Sequence, residues 1–139
     1  MLNILIVDDS ATMRSIVARV LRLAAVPVEN LYFAENGERG LEILKACPVD
    51  LVMVDINMPV MDGCEMLERM KADTGLSDIP AIVVSTEGSE SRISKLKSLG
   101  ISAFVRKPFD RDALAGTINK LLGGEIAGRS RAGASHIMN

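Results

Sequence analysis

Four short apolar runs, Ile4-Leu5-Ile6-Val7, Leu51-Val52-Met53-Val54, Ala81-Ile82-Val83-Val84 and Ala103-Phe104-Val105, are separated by longer stretches with helical spacing. The run Leu51–Val54 is that expected of a central parallel strand buried on both faces. After the first run, Met13, Ile16, Val17, Val20 and Leu21 recur on one helical face, with Ser10 and Thr12 available as N-caps. Pro27 breaks the chain before a short strand at about 30–33. Gly37 then precedes a second helix with Leu41, Ile43 and Leu44 inward, which Pro48 ends. Asp62 can cap a third helix carrying Met66, Leu67 and Met70, after a loop over Asn57-Met58-Pro59-Val60-Met61-Asp62-Gly63. Pro80 opens the fourth strand, and 89–99 forms a helix whose apolar face, Ile93 and Leu96, is thin enough to predict poor burial. The last helix carries Leu114, Ile118, Leu121 and Leu122. Five strands alternating with five helices on short connections imply right-handed crossovers and a parallel sheet covered on both sides, an α/β fold.

From Gly123 onward Gly, Ser, Ala and Arg dominate and apolar periodicity is lost. Residues 1–123 are therefore expected to form one domain and 124–139 a flexible tail, with Ser135-His136-Ile137-Met138-Asn139 reading as an appended tag. A chain of 139 residues has the length of a single domain. Its 48% apolar and 24% charged residues are ordinary for a globular protein, and a net charge of −2 argues against a general nucleic-acid binder. The first apolar run is cut off by Asp8-Asp9, too short for a signal or membrane segment, so a cytoplasmic location is expected. Cys47 and Cys64 lack metal or redox spacing, and only His136 could join them as an imidazole ligand, so both are expected to be buried reduced thiols.

Chemistry enters at the ends of the apolar runs. Asp8-Asp9, Asp55, Ser85 and Lys107 each follow one, and in an open parallel sheet the carboxyl ends of the strands are where ligands bind. Three carboxylates brought together repel by roughly 3 to 4 kcal/mol per close pair at an effective dielectric of about 20. Lys107 offsets part of this, and a hard divalent ion suits the rest. Mg²⁺ in particular takes one or two carboxylates plus substrate phosphate. An Asp carboxylate is also a covalent phosphoryl acceptor, with Ser85 donating a hydrogen bond and Lys107 neutralising charge. Asp55, standing alone after the central run, is the expected attacker. Taken singly, each Asp is equally well a loop acid or a helix cap.

These residues carry a resemblance. From Ile-Leu-Ile-Val-Asp-Asp through Val-Asp-Ile-Asn-Met-Pro-Val-Met-Asp-Gly and Val-Val-Ser-Thr-Glu-Gly to Val-Arg-Lys-Pro-Phe, over about 3–122, the chain is similar to the receiver domains of two-component response regulators. Within them it most resembles single-domain chemotaxis regulators of the CheY type. The resemblance implies a flavodoxin-like, doubly wound (βα)5 fold with strand order 2-1-3-4-5. It implies Asp55 as phosphoacceptor, Asp9 as direct Mg²⁺ ligand, Asp8 as a ligand acting mainly through water, and Asn57 as the backbone-carbonyl ligand. Ser85 takes the place of the residue that binds the phosphoryl oxygen, Lys107 that of the invariant lysine, and Lys107-Pro108 that of the cis peptide. Asn57 and Glu87 fall where the family tunes access of water to the acyl phosphate. Both are polar, which is compatible with spontaneous dephosphorylation, although solvated loop residues would look the same. The switch aromatic falls at Phe104, where chemotaxis proteins often have Tyr. Without a hydroxyl to anchor the outward rotamer the coupling is expected to differ in strength, and plain packing at a strand end is the alternative.

The resemblance further implies signalling rather than turnover. The phosphoryl donor would be a sensor histidine kinase of the CheA type. The output would be a target such as a flagellar motor switch component, bound through the helix at 89–99, the strand holding Phe104 and the last helix. A phosphatase partner and a monomeric protein are expected, with self-catalysed phosphoryl transfer and dephosphorylation as its only chemistry. Arg92, Lys95, Lys97, Arg106 and Arg111 could meet an acidic partner on this face, or form a solvated surface. A phosphorelay intermediate or stand-alone adaptor receiver is the alternative. An Asp-nucleophile phosphohydrolase is disfavoured because Asn57, not Asp, lies two residues after Asp55. A flavodoxin-like cofactor binder is disfavoured by the lack of a Ser/Thr/Gly-rich phosphate loop after the first strand.

Overall fold

Strands and helices alternate throughout residues 1–124, the part of the chain that the computed structural model describes. The strands are β1 (Leu2–Val7), β2 (Val28–Ala34), β3 (Leu51–Val54), β4 (Ala81–Ser85) and β5 (Ala103–Arg106). All pair in parallel, in the order β2-β1-β3-β4-β5. The helices are α1 (Ala11–Leu23), α2 (Gly37–Ala46), α3 (Gly63–Ala72), α4 (Glu90–Ser98) and α5 (Arg111–Gly123). The chain thus has the doubly wound (βα)5 architecture. The expected tail from 125 onward, including its closing segment, lies outside the described residues.

Side chains alternate across the strands, so the sheet divides the core in two. Leu5, Val7, Val52, Val54 and Val83 pack with α2, α3 and Leu96 of α4. Ile4, Ile6, Leu51, Met53, Ile82 and Val84 pack with α1 and α5. Ser10, Asn36, Asp62, Ser89 and Asp110 cap the five helices in turn, each side chain accepting a backbone N–H of the first turn.

Some expectations shift in detail. In α1 the buried stripe is Val17, Ala18, Val20 and Leu21, while Ile16 is 41% exposed. The helix turns the small Ala18 inward, and Ile16 faces solvent instead. β2 runs from Val28 to Ala34 because both end residues find register partners, Leu2 and Val7. Leu121 and Leu122 are only half-buried at the margin of the α1/α5 core. Leu96 is the only buried side chain of α4, and Ile93 is half-buried, in line with the thin face. Both cysteines are free thiols. Cys64 is buried, and burial pushes its thiol pKa up. Cys47 departs from expectation: as the residue after α2 it is only half-buried.

The loop between β3 and α3 contains two tight positions. A Cβ on Gly63 would lie 2.2 Å from the Asp55 carbonyl oxygen, so only glycine lets the start of α3 approach the end of β3. Val60 adopts φ 69°, a left-handed conformation that a β-branched residue resists, and its side chain is 75% exposed. Gly63→Ala is expected to destabilise the protein by about 1–3 kcal/mol in urea unfolding, because backbone must move to admit the methyl. Val60→Asn should act oppositely, raising stability by roughly 0.5–1 kcal/mol in the same measurement, since Asn tolerates the left-handed region and Val60 packs against little.

Candidate functional site

Strand order reverses at β1, whose two neighbours, β2 and β3, connect to it in opposite directions, and such a point opens a crevice at the carboxyl ends of the strands. Val7 pairs with Val54, so Asp8 and Asp55 follow each other across this crevice. Ladder-type bonds continue one residue past the strands and fix both: Asp8 N donates to the Ala34 carbonyl at 3.0 Å and Asp55 N to the Val7 carbonyl at 2.9 Å. Ser85 is the last residue of β4, and Lys107 follows β5, its N–H donating to the Ser85 carbonyl at 2.8 Å. The Lys107-Pro108 peptide is cis, and Pro108 is exposed.

At this edge Asp8, Asp9 and Asp55 each bring one carboxylate oxygen within 4.8 Å of the others. Lys107 Nζ reaches in from β5 to 2.8 Å from Asp8 Oδ2 and 3.4 Å from Asp55 Oδ2. Asp8 and Asp55 are buried, at 4% and 7% exposure, and Ser85 is fully buried. Asp9 is exposed. Three acids against one ammonium leave an excess of negative charge lined by oxygen donors alone. That donor set fits a hard divalent cation of the Mg²⁺ kind.

The oxygens are not equivalent. Asp8 Oδ1 accepts the Ser10 N–H at 2.9 Å while its Oδ2 accepts from Lys107. Asp55 Oδ1 accepts the Ile56 N–H at 2.8 Å, and Oδ2 has only the longer contact with Lys107. The Asp9 carboxylate makes no hydrogen bond or ion pair among the described residues. Ser85 Oγ accepts the Glu87 N–H at 3.2 Å, leaving the hydroxyl proton to donate elsewhere.

The outer positions surround this core. Asn57 is exposed, one residue past Ile56. Glu87 is half-buried, its carboxylate accepting the Ser89 N–H at 3.0 Å and lying 4.0 Å from Arg92 Nε. Phe104 pairs in register with Val83, two residues before Ser85, and so shares the sheet face of Ser85. It is half-buried against the core that includes Leu96. Of the cations on the α4/β5/α5 face, Lys95 binds Glu68 of α3 at 2.8 Å, a hydrogen bond that raises its pKa, and Arg92 donates to Cys64 Sγ at 3.6 Å. Lys97, Arg106 and Arg111 are exposed.

Three contacts at the site were not assigned from the sequence pattern. Gly63 brings α3 against Asp55, and a Cβ on Gly88 would lie 2.5 Å from an Arg106 guanidinium nitrogen, so Arg106 lies over the loop after Ser85. Arg14 Nη1 donates to the Asp8 carbonyl at 2.7 Å. Asp-Gly and Glu-Gly in sequence read only as turns, and an Arg on a helix reads as surface.

Comparison with known proteins agrees with this geometry. The family model of the response regulator receiver domain matches residues 4–119. Chemotaxis protein CheY-3 of Vibrio cholerae is 33% identical over 120 residues, covering 86% of this chain and 91% of that protein. Chemotaxis protein CheY1 of Helicobacter pylori is 31% identical over 123 residues, covering 88% and 98%. Among solved structures, Vibrio cholerae CheY4 superposes with a TM-score of 0.77 at 28% identity, covering 88% of this chain and 99% of that one. The acid cluster at the switch point, the lysine reaching it from the last strand and these matches together make the chain a CheY-like member of the response regulator receiver domain family.

Proposed function

We propose that this chain is a phosphorylation-switched signalling protein in which Asp55 accepts a phosphoryl group from the phosphohistidine of a CheA-type sensor kinase. The observation that carries the reading is Lys107 Nζ held between Asp8 Oδ2 and Asp55 Oδ2 inside a three-carboxylate cluster. An ammonium paired to buried acids is poised to follow negative charge onto an incoming phosphoryl group. The chemotaxis names of the relatives support chemotaxis as the setting, with a motor switch component as target. No helix among the described residues is long and apolar enough to cross a membrane.

In the transfer, an Asp55 oxygen lone pair attacks phosphorus. The P–N bond to the kinase imidazole breaks, and the ring leaves with the bonding pair and takes up a proton. Asp55 Oδ2 is the oxygen free to attack, since Oδ1 is held by the Ile56 N–H. Ser85 donates its hydroxyl proton to a phosphoryl oxygen and Lys107 moves its charge from the carboxylates to another. Mg²⁺, when bound by Asp8, Asp9, Asp55 and the Asn57 carbonyl, supplies charge neutralisation to the phosphoryl oxygens. Asp9, unengaged, suits direct ligation. Asp8, with both oxygens already accepting, suits contact through water. Reversal needs water to attack phosphorus and restore the Asp55 carboxylate, and Asn57 and Glu87 flank its approach.

Output follows from drawing Ser85 toward the phosphoryl group. Phe104, on the same sheet face, fills the space vacated, and α4, whose one buried side chain is Leu96, readjusts. The ligand shifts an equilibrium between two arrangements of the α4/β5/α5 face.

Incubation with acetyl phosphate and Mg²⁺ should add one phosphoryl mass to the wild type and none to Asp55→Asn. A failure to label with acetyl phosphate or with any of several kinases sinks the reading. Lys107→Ala should bind Mg²⁺ with unchanged or up to about ten-fold tighter affinity by calorimetry, because a competing cation is gone. The same variant should lose the beryllofluoride-induced amide shifts in α4 and around Phe104. Wild-type shifts in Lys107→Ala would show that the lysine is not the coupling element.

A further inference from the structure

We propose that Arg14 is a positioning residue for the metal site, clamping the peptide between Asp8 and Asp9 so that the Asp9 carboxylate is presented to the cation. The inference rests on the reading of the acid cluster as a Mg²⁺ site.

Asp8 and Asp55 are each fixed by side-chain and ladder bonds, but Asp9 has none of its own. Its exposed carboxylate makes no hydrogen bond or ion pair among the described residues, so its direction is set only by the backbone that carries it. That backbone begins at the Asp8 carbonyl, one residue past the end of β1, where the ladder stops. An unanchored peptide there would let Asp9 sweep away from Asp55, and repulsion among the three acids favours that movement.

Arg14 is the group that prevents it. Ser10 caps α1 and its carbonyl accepts the Arg14 N–H at 3.0 Å, which places residue 14 at the end of the first turn. Helical side chains lean toward the N-terminus, so the guanidinium lies back over the turn and Nη1 reaches the Asp8 carbonyl at 2.7 Å. A charge-assisted bond of this length holds a peptide plane more firmly than a neutral one. No acid lies in the first turn of α1, unlike those of α2, α3, α4 and α5, so no carboxylate of that turn competes for the guanidinium.

The two things Arg14 brings, charge and a fixed peptide, predict opposite signs. As a mere positive charge near the site it would repel Mg²⁺, and Arg14→Gln would tighten binding. As a clamp it orders a ligand, and Arg14→Gln weakens binding.

Calorimetric titration of the full chain with MgCl₂ is expected to show affinity about five-fold weaker in Arg14→Gln, with unchanged far-UV circular dichroism. In metal-free protein the ¹⁵N order parameter of the Asp9 amide should fall in the variant while that of Asp55 holds. Unchanged or tighter Mg²⁺ binding by Arg14→Gln, or an Asp9 amide as rigid as in wild type, overturns the proposal. Should Arg14→Gln not fold, Arg14→Met, which keeps the aliphatic stem but no donor, is read on the same Asp9 amide, where wild-type rigidity again overturns the proposal. Absence of Mg²⁺ binding by wild type would instead refute the metal reading, and the metal-free relaxation measurement would still decide the clamp.

Discussion

The structure turns on the repulsion among three carboxylates that the fold forces to one edge, and on the single ammonium that answers it. Buried charge is tolerated only when paired, and an ion pair at such depth gives little net stability. Asp8 and Asp55 are both buried, yet Lys107 alone, reaching from the far end of the sheet, lies between them. A chain selected for stability would have one acid here. This one keeps an excess of negative charge at the crevice, two of its acids buried and one exposed, and the crevice thereby acquires a demand for cations.

Much of the remaining architecture serves to hold that unfavourable arrangement still. β1 and β3 lie inside the sheet, apolar on both faces but for Asn3, and their ladder bonds extend past the last strand residue to the two buried acids. Gly63 lets α3 start directly against the Asp55 carbonyl. On the opposite side of the site the holding is looser. Ser85 is joined to the loop that leads into α4 by one 3.2 Å bond, and α4 contributes a single buried side chain. Firmly held acids and a loosely joined Ser85 are the two halves that the proposed switch requires.

The alternation of strands and helices was legible because each apolar run has a period that belongs to one kind of element, and because the residues ending those runs are chemically unlike their surroundings. Asp8, Asp9, Asp55 and Lys107 could be grouped from sequence since a parallel sheet delivers its strand ends to one side. What could not be read was anything set by close approach. The exposure of Ile16 depends on which way a helix rolls against its neighbour. The importance of Gly63 depends on a carbonyl from another element. The contact of Arg14 with the Asp8 backbone spans six residues and involves no side-chain partner that periodicity would flag. The paired state of Lys95 with Glu68 likewise required knowing that α3 and α4 lie side by side.

The slight attachment of α4 carries a consequence for how such a domain diversifies. With Leu96 the one residue that the core requires of this helix, nearly every outward position can change at little cost to folding. Recognition and foldability are then separate problems for the sequence to solve. If the proposed α4/β5/α5 face is where a target binds, a duplicated copy could be readdressed largely through the outward positions of α4, while the acids, the lysine and the sheet beneath them stay as they are.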